Sequence, residues 1–229
     1  MTGTLYGIGI GPGDPELLTL KAVRLIRECD VVAVPGKDYR ESVAYGIAVQ
    51  AVPELKDKEI LAVHMPMTRD REVLEKSFQA GADRLETCLK AGKDVAFLTL
   101  GDVTIYSTYL YLHRLVTERG YRTEMVSGIP SFCAAAARLN MGLAEGAEEI
   151  HIIPASYQAE DSLSFPGTKI LMKTGRQMEQ VKEKLKEKNL SVAMVENCGM
   201  EGEKVYRSVD EIGSDAGYYS LIIAKENRE

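Results

Sequence analysis

The chain has no CxxC pair, no long apolar stretch and no basic excess, and each absence removes a class of protein. Its four cysteines, Cys29, Cys88, Cys133 and Cys198, lie far apart. Neither a disulfide framework nor a zinc ligand set is suggested, and the thiols read as small buried hydrophobes. No apolar run approaches the ~18 residues that span a bilayer. The opening MTGTLYGIGIGPGD has no basic segment leading into an apolar core and cleavage site. A cytoplasmic protein without a membrane partner is expected. A formal charge of −6 disfavours nucleic acid, because phosphate binding needs clustered Lys and Arg on a basic face. An anionic substrate would require a local basic pocket instead. With 8 prolines, 45% hydrophobic and 27% charged residues, the 229-residue chain has the composition of a folded protein. Its length suits one large α/β domain or two of roughly 100 residues.

The hydrophobic pattern decides between these. Residues 4–10 (TLYGIGI), 30–35 (DVVAVP), 60–67 (ILAVHMPM) and 94–102 (DVAFLTLGD) read as strands. They alternate with helical spacing over 17–29, 42–52, 71–92 and 107–120. Apolar strands alternating with amphipathic helices predict a mainly parallel sheet covered on both faces. After TEMVSGIP and an Ala-rich helix the pattern becomes strand-rich: EEIHIIPA, TKILMKT, SVAMVEN, EKVYRSV and YYSLIIAKE, interrupted by the helix QMEQVKEKLKEK. Two α/β domains are expected, 1–120 with a parallel sheet and 121–229 with a mixed one.

Three segments could carry chemistry. In GIGIGPGDPELLT, residues 7–19, glycines at 7, 9, 11 and 13 allow tight turning and close backbone approach. The segment does not complete the dinucleotide-binding pattern G-x-G-x-x-G, and the strand that should end in a ribose-binding acid ends in Val34-Pro35. In LTLGDVTIYST, residues 98–108, a buried strand delivers Gly101-Asp102 to the edge where open α/β sheets bind ligands. Asp102 could alternatively cap the helix starting near Ser107. VSGIPSFCAAAA, residues 126–137, is another strand-to-helix turn, with Ser131 as cap or ligand donor.

In their order and spacing GIGIGPGDPELLTLKA, TLGDVTIYST and SGIPSFCAAAA resemble the tetrapyrrole methylase family, over essentially the whole chain. LYGIGIGPGDPELLTLKAVRLI, GDVTIYSTYLYLHRL and VENCGMEGEKVY resemble the branch that methylates carbon 20 of precorrin-2 or cobalt-factor II in cobalamin biosynthesis. The resemblance implies a homodimer without a protein-bound metal, holding S-adenosylmethionine in a cleft between two α/β domains, largely by backbone groups. It maps Pro12 to the active-site floor, and Leu100, Gly101, Asp102, Ile105 and Tyr106 to the cofactor shelf. Pro130 and Ser131 stand where relatives have Thr-Ala or Thr-Ser, which leaves a hydroxyl only at Ser131. Met172 or Lys173 is implied over the adenosine, with Cys198 or Gly199 beside it. The uroporphyrinogen-III methylases end a strand D-V-V-L-Y-D on an aspartate proposed as base. Here that position is Pro35, so neither that base nor that substrate is expected.

Methylating a nucleophilic macrocycle carbon asks the enzyme mainly to hold two reactants together. For the proton that must leave, Asp14 and Tyr106 are the candidates put forward, ahead of Tyr109, Tyr111, His64, His113 and His151. The substrate class carries eight carboxylates, so Lys37, Arg40, Arg69, Lys173 and Arg176 are candidate anchors. Alternative readings on the same fold are methylation at another carbon or of a protein residue, a dinucleotide-dependent oxidoreductase, and a non-enzymatic tetrapyrrole or adenosyl-ligand carrier.

Overall fold

A computed structural model of the chain describes residues 1–154, 162–174, 177–188 and 190–226. It divides into two compact units, Met1–Pro130 and Ser131–Glu229. The sequence pattern put the division near residue 120. The strand Arg122–Val126 pairs along Thr4–Ile8 and so belongs to the first sheet.

The first unit runs β1(Thr4–Gly9), α1(Leu20–Glu28), β2(Val31–Pro35), α2(Val43–Ala51), β3(Glu59–Val63), α3(Arg71–Lys90), β4(Val95–Thr99), α4(Tyr109–Glu118) and β5(Arg122–Val126). All strands are parallel, in the order β3-β2-β4-β1-β5. Thr19 caps α1 through the Ala22 N–H at 3.1 Å, and Asp70 caps α3 through Glu72 and Val73. Gly120, at φ +86°, follows the end of α4. One face of the sheet packs Leu5, Ala33, Val95 and Phe97 against Leu85 and Leu89 of α3 and Leu112 and Val116 of α4. The other packs against α2, whose Ala44, Ile47 and Ala48 are buried.

The second unit contains α5(Ser131–Arg138), β6(Ile150–Pro154), β7(Thr168–Met172), α6(Met178–Glu187), β8(Ser191–Glu196), β9(Lys204–Tyr206) and β10(Ser220–Lys225). Its sheet order is β6-β7-β10-β8-β9. β6 and β7 are parallel and the remaining pairs antiparallel, so the sheet is mixed, as the change of pattern predicted. α6 buries Met178, Val181 and Leu185 with Leu171, Met194 and Ile222 on one face. On the other, Ala135 and Ala136 of α5 meet Ile170, Val195 and Ile223.

Candidate functional site

In the first unit β1 and β4 are neighbours, yet the chain leaves β1 for β2 on one side and β4 for β5 on the other. Right-handed crossovers send these connections to opposite faces, which opens a crevice at the carboxyl ends of the two strands. The three glycine-bearing turns leave β4, β1 and β5, which are consecutive in the sheet.

Backbone bonds fuse the turns. Gly11 N–H donates to the Gly101 carbonyl at 3.2 Å, and Gly101 N–H returns the bond to the Gly11 carbonyl at 2.7 Å. Both residues sit in the left-handed region, at φ +77° and +73°. Gly9 and Gly128 are needed for a different reason. A Cβ on Gly128 would stand 2.2 Å from the Gly101 carbonyl oxygen and 2.6 Å from the Gly9 carbonyl carbon. These two glycines let three stretches of backbone touch one another.

Asp102 completes the clamp. Its carboxylate, buried with 7% exposure, accepts from Thr104 N–H at 2.8 Å, Thr104 Oγ1 at 2.5 Å and Gly128 N–H at 2.9 Å. The side chain expected on the cofactor shelf therefore ties the β4 turn to the β5 turn. The capping role also considered for it falls to Ser107, whose Oγ accepts from Tyr109 N–H at 3.2 Å. Pro12, expected at the active-site floor, is buried; of the other shelf residues Gly101 is buried, Leu100 and Ile105 half-buried, and Tyr106 exposed. Tyr106 has φ +49°, an unfavourable conformation for a bulky residue and one that collects at functional sites. Pro130 and Ser131 are half-buried, and Ser131 opens α5.

The proton-acceptor candidates separate clearly. Tyr109 is fully buried in the core, its ring against Gly7, and burial pushes its phenol well above the ordinary value. His113 lies behind it, Nδ1 3.3 Å from the Tyr109 hydroxyl, with its pKa lowered by burial. Tyr111 stacks on Phe78 at 4.6 Å. His151 Nε2 is 2.9 Å from the Pro166 carbonyl. Asp14 accepts from Glu16 N–H at 2.8 Å and so caps the turn Pro15–Leu17. His64, on the loop after β3, and Tyr106 are exposed at the carboxyl edge of the first sheet, and Tyr111, on the first turn of α4, is exposed as well. Lys37, Arg40 and Arg69 occupy the loops after β2 and β3 on that edge. Arg40 is paired with Asp38 at 2.7 Å, which holds the Asp38 carboxyl below its usual range. Arg176 lies outside the described residues.

In the second unit β6, β7 and β8 share one direction, so their carboxyl ends share an edge. Met172 ends β7 and is half-buried. Lys173 follows at φ +59°, also half-buried, with its pKa lowered by desolvation. Next comes Thr174, 1% exposed, whose Oγ1 has no hydrogen-bond partner among the described residues. After β8, Asn197 takes φ +53° and donates from N–H to the Tyr219 carbonyl at 3.1 Å. Cys198 is half-buried among apolar residues. The Gly199 N–H is taken by Glu203 Oε2 at 2.8 Å, and Glu203 is held in turn by Arg138. Sequence reading missed Thr174, since a hydroxyl in an apolar strand end gives no signal until its surroundings are known.

A family model described as tetrapyrrole (corrin/porphyrin) methylases matches residues 4–212. The chain belongs to the tetrapyrrole methylase family. This methylase is 37% identical over 225 residues to a protein of Methanocaldococcus jannaschii named as a probable cobalt-precorrin-2 C(20)-methyltransferase, covering 96% of the chain and 95% of the relative. It is 30% identical to the cobalt-precorrin-2 C(20)-methyltransferase of Salmonella typhimurium, covering 100% and 99%. Among solved structures, a uroporphyrin-III C-methyltransferase of Thermus thermophilus complexed with S-adenosylhomocysteine superposes with a TM-score of 0.71 at 20% identity, covering 98% of both chains. A cobalt-precorrin-4 methyltransferase gives 0.73 at 22% identity, covering 97% and 94%. At these identities the structural likeness speaks for the fold, and the two-sheet architecture of the methylase agrees with it.

Proposed function

We propose that the chain is an S-adenosylmethionine-dependent C-methyltransferase acting on carbon 20 of precorrin-2 or its cobalt-bearing counterpart in cobalamin biosynthesis. The observation that carries this reading is full-length similarity to relatives named for that reaction, one at 37% identity. The residues fit the methyl donor on two counts. The glycine turns gather main-chain groups at the switch point of the first sheet, where α/β folds take ligands. In the second unit, Thr174 Oγ1 is buried without a partner among the described residues, beside Met172 and Lys173 at the strand end proposed for the adenosine.

When bound, S-adenosylmethionine supplies an electrophilic methyl group. The contribution of the protein is to orient and to exclude water. The backbone of Gly11 and Gly101 is fixed by reciprocal hydrogen bonds, and Asp102 locks the neighbouring turn, so little rearrangement is needed on binding. Such positioning can lower a barrier by ~7–11 kcal/mol. In this reading Tyr106, Leu100 and Ile105 line the donor, while Met172, Lys173, Cys198, Ser131 and Pro130 add contacts to it. Lys37 and Arg69 face the substrate carboxylates. Action in the cytoplasm as a homodimer belongs to the same proposal, and sedimentation as a monomer would remove its second part.

The test is an oxygen-free incubation of methyl-labelled S-adenosylmethionine with metal-free and cobalt-charged precorrin-2, followed by NMR of the product. A new methyl at carbon 20 is expected with one or both substrates. Label at another carbon, or none despite uptake of S-adenosylhomocysteine in calorimetry, would overturn it.

A further inference from the structure

We propose that the amino-terminal end of α2 is a carboxylate-binding subsite. In it, the Ser42 hydroxyl and the first-turn N–H groups of Val43, Ala44 and Tyr45 receive one carboxylate of the macrocycle. The inference rests on the polycarboxylate substrate proposed above and names where one of its charges is held.

Ser42 is the N-cap residue of α2, a nine-residue helix, with an extended backbone at φ −75° and ψ 117°. Serine at this position ordinarily accepts from an N–H of the first turn. Here it makes no such bond. The residue is 8% exposed, and its Oγ is buried with no hydrogen-bond partner among the described residues. A buried hydroxyl left unsatisfied is unfavourable, and its persistence in a folded chain calls for an explanation. An anion accepting from the hydroxyl and from the uncapped helix end supplies one. The hydroxyl proton and the first-turn N–H groups all donate, and the helix dipole favours negative charge at the same point.

The surroundings suit a carboxylate of a large ligand. α2 begins on the loop after β2, and β2 lies between β3 and β4 in the parallel sheet. That loop therefore leaves the same edge as the Gly101 turn on one side and the His64–Asp70 loop on the other. α2 also packs against the turn Pro15–Leu17, which directly follows the glycine loop of β1. Lys37 and Arg40 precede Ser42 on its loop, with Arg69 on the adjacent loop. Of the acidic groups nearby, Asp38 is engaged by Arg40. Glu41 is exposed.

Ser42→Ala separates this role from a structural one, because the hydroxyl makes no bond among the described residues. The measurement is a fluorescence titration with uroporphyrin, an octacarboxylate porphyrin, alongside calorimetry with S-adenosylhomocysteine and a thermal melt. Loss of a hydrogen bond to a charged group predicts about 10-fold weaker uroporphyrin binding. Uptake of S-adenosylhomocysteine should be unchanged and Tm equal or higher, while Ser42→Thr, which keeps the hydroxyl, should bind near wild type. In turnover the loss should fall on KM. Undiminished uroporphyrin binding by Ser42→Ala overturns the subsite alone. So does a lowered Tm with parallel loss of both ligands, which would mark the hydroxyl as a cap. A wild-type protein that takes up neither ligand removes the function reading and the subsite with it.

Discussion

A single unpartnered hydroxyl separates binding from stability at Thr174. It is 1% exposed, and Oγ1 makes no bond among the described residues. In Thr174→Val a methyl replaces the hydroxyl at nearly constant volume, so the folded state loses nothing and sheds an unsatisfied polar group. Tm should hold or rise. If Oγ1 meets a polar group of S-adenosylhomocysteine, the dissociation constant should rise about 2- to 10-fold, the range of one neutral hydrogen bond. Calorimetry on the variant checks this, and unchanged affinity would remove Thr174 from the site. Backbone strain at the adjacent Lys173 (φ +59°) marks the same strand end.

Among the elements, the turns of the first sheet depend on each other more than their sequences suggest. Asp102 accepts from two residues, Thr104 in its own turn and Gly128 in the turn after β5. In Asp102→Asn the amide nitrogen of the side chain must face an N–H donor, and leaving that donor unsatisfied costs about 1–3 kcal/mol. A Tm several degrees lower is expected, with weaker S-adenosylhomocysteine uptake as the turns lose register; a thermal melt with full retention of stability would refute the clamp. The sequence exposed the three turns, their glycines and the parallel-to-mixed change of sheet, because those follow from local patterns of apolar residues and turn formers. Strand ends were less legible. The apolar run 94–102 continues past Thr99, where β4 stops as Ile10 N–H takes the Thr99 carbonyl and Gly101 turns left-handed. The run 60–67 likewise outlasts β3, which ends at Val63. Close backbone approach was legible at the glycine loop, but its partners were not: the backbone that Gly9 meets, at Gly101 and Gly128, lies more than 90 residues away and becomes visible only on folding. Ser42 and Thr174 were invisible because their signal is a missing bond.

At the scale of the whole molecule, the question is whether ligand binding engages the first unit, and Cys29 reports on it. This thiol is 1% exposed at the carboxyl end of α1. Its pKa is pushed up to about 12, chiefly by burial and then by Asp94. As pH rises above the ordinary value of 9.0, the unfolded chain releases the thiol proton first, so stability falls through that window. Labelling is best run near pH 8, where Cys29 is neutral when folded and reacts only after the first unit opens. If S-adenosylhomocysteine binds the folded glycine turns and not the opened chain, a concentration of 100 times its dissociation constant stabilises by ~2.7 kcal/mol, a slowing of about 100-fold. Peptide-resolved mass spectrometry of Cys29 modification, with and without the ligand, measures the factor. A rate untouched by saturating ligand would mean that uptake leaves the first unit unengaged, and the assignment of Pro12, Gly101 and Tyr106 to the donor would fall with it.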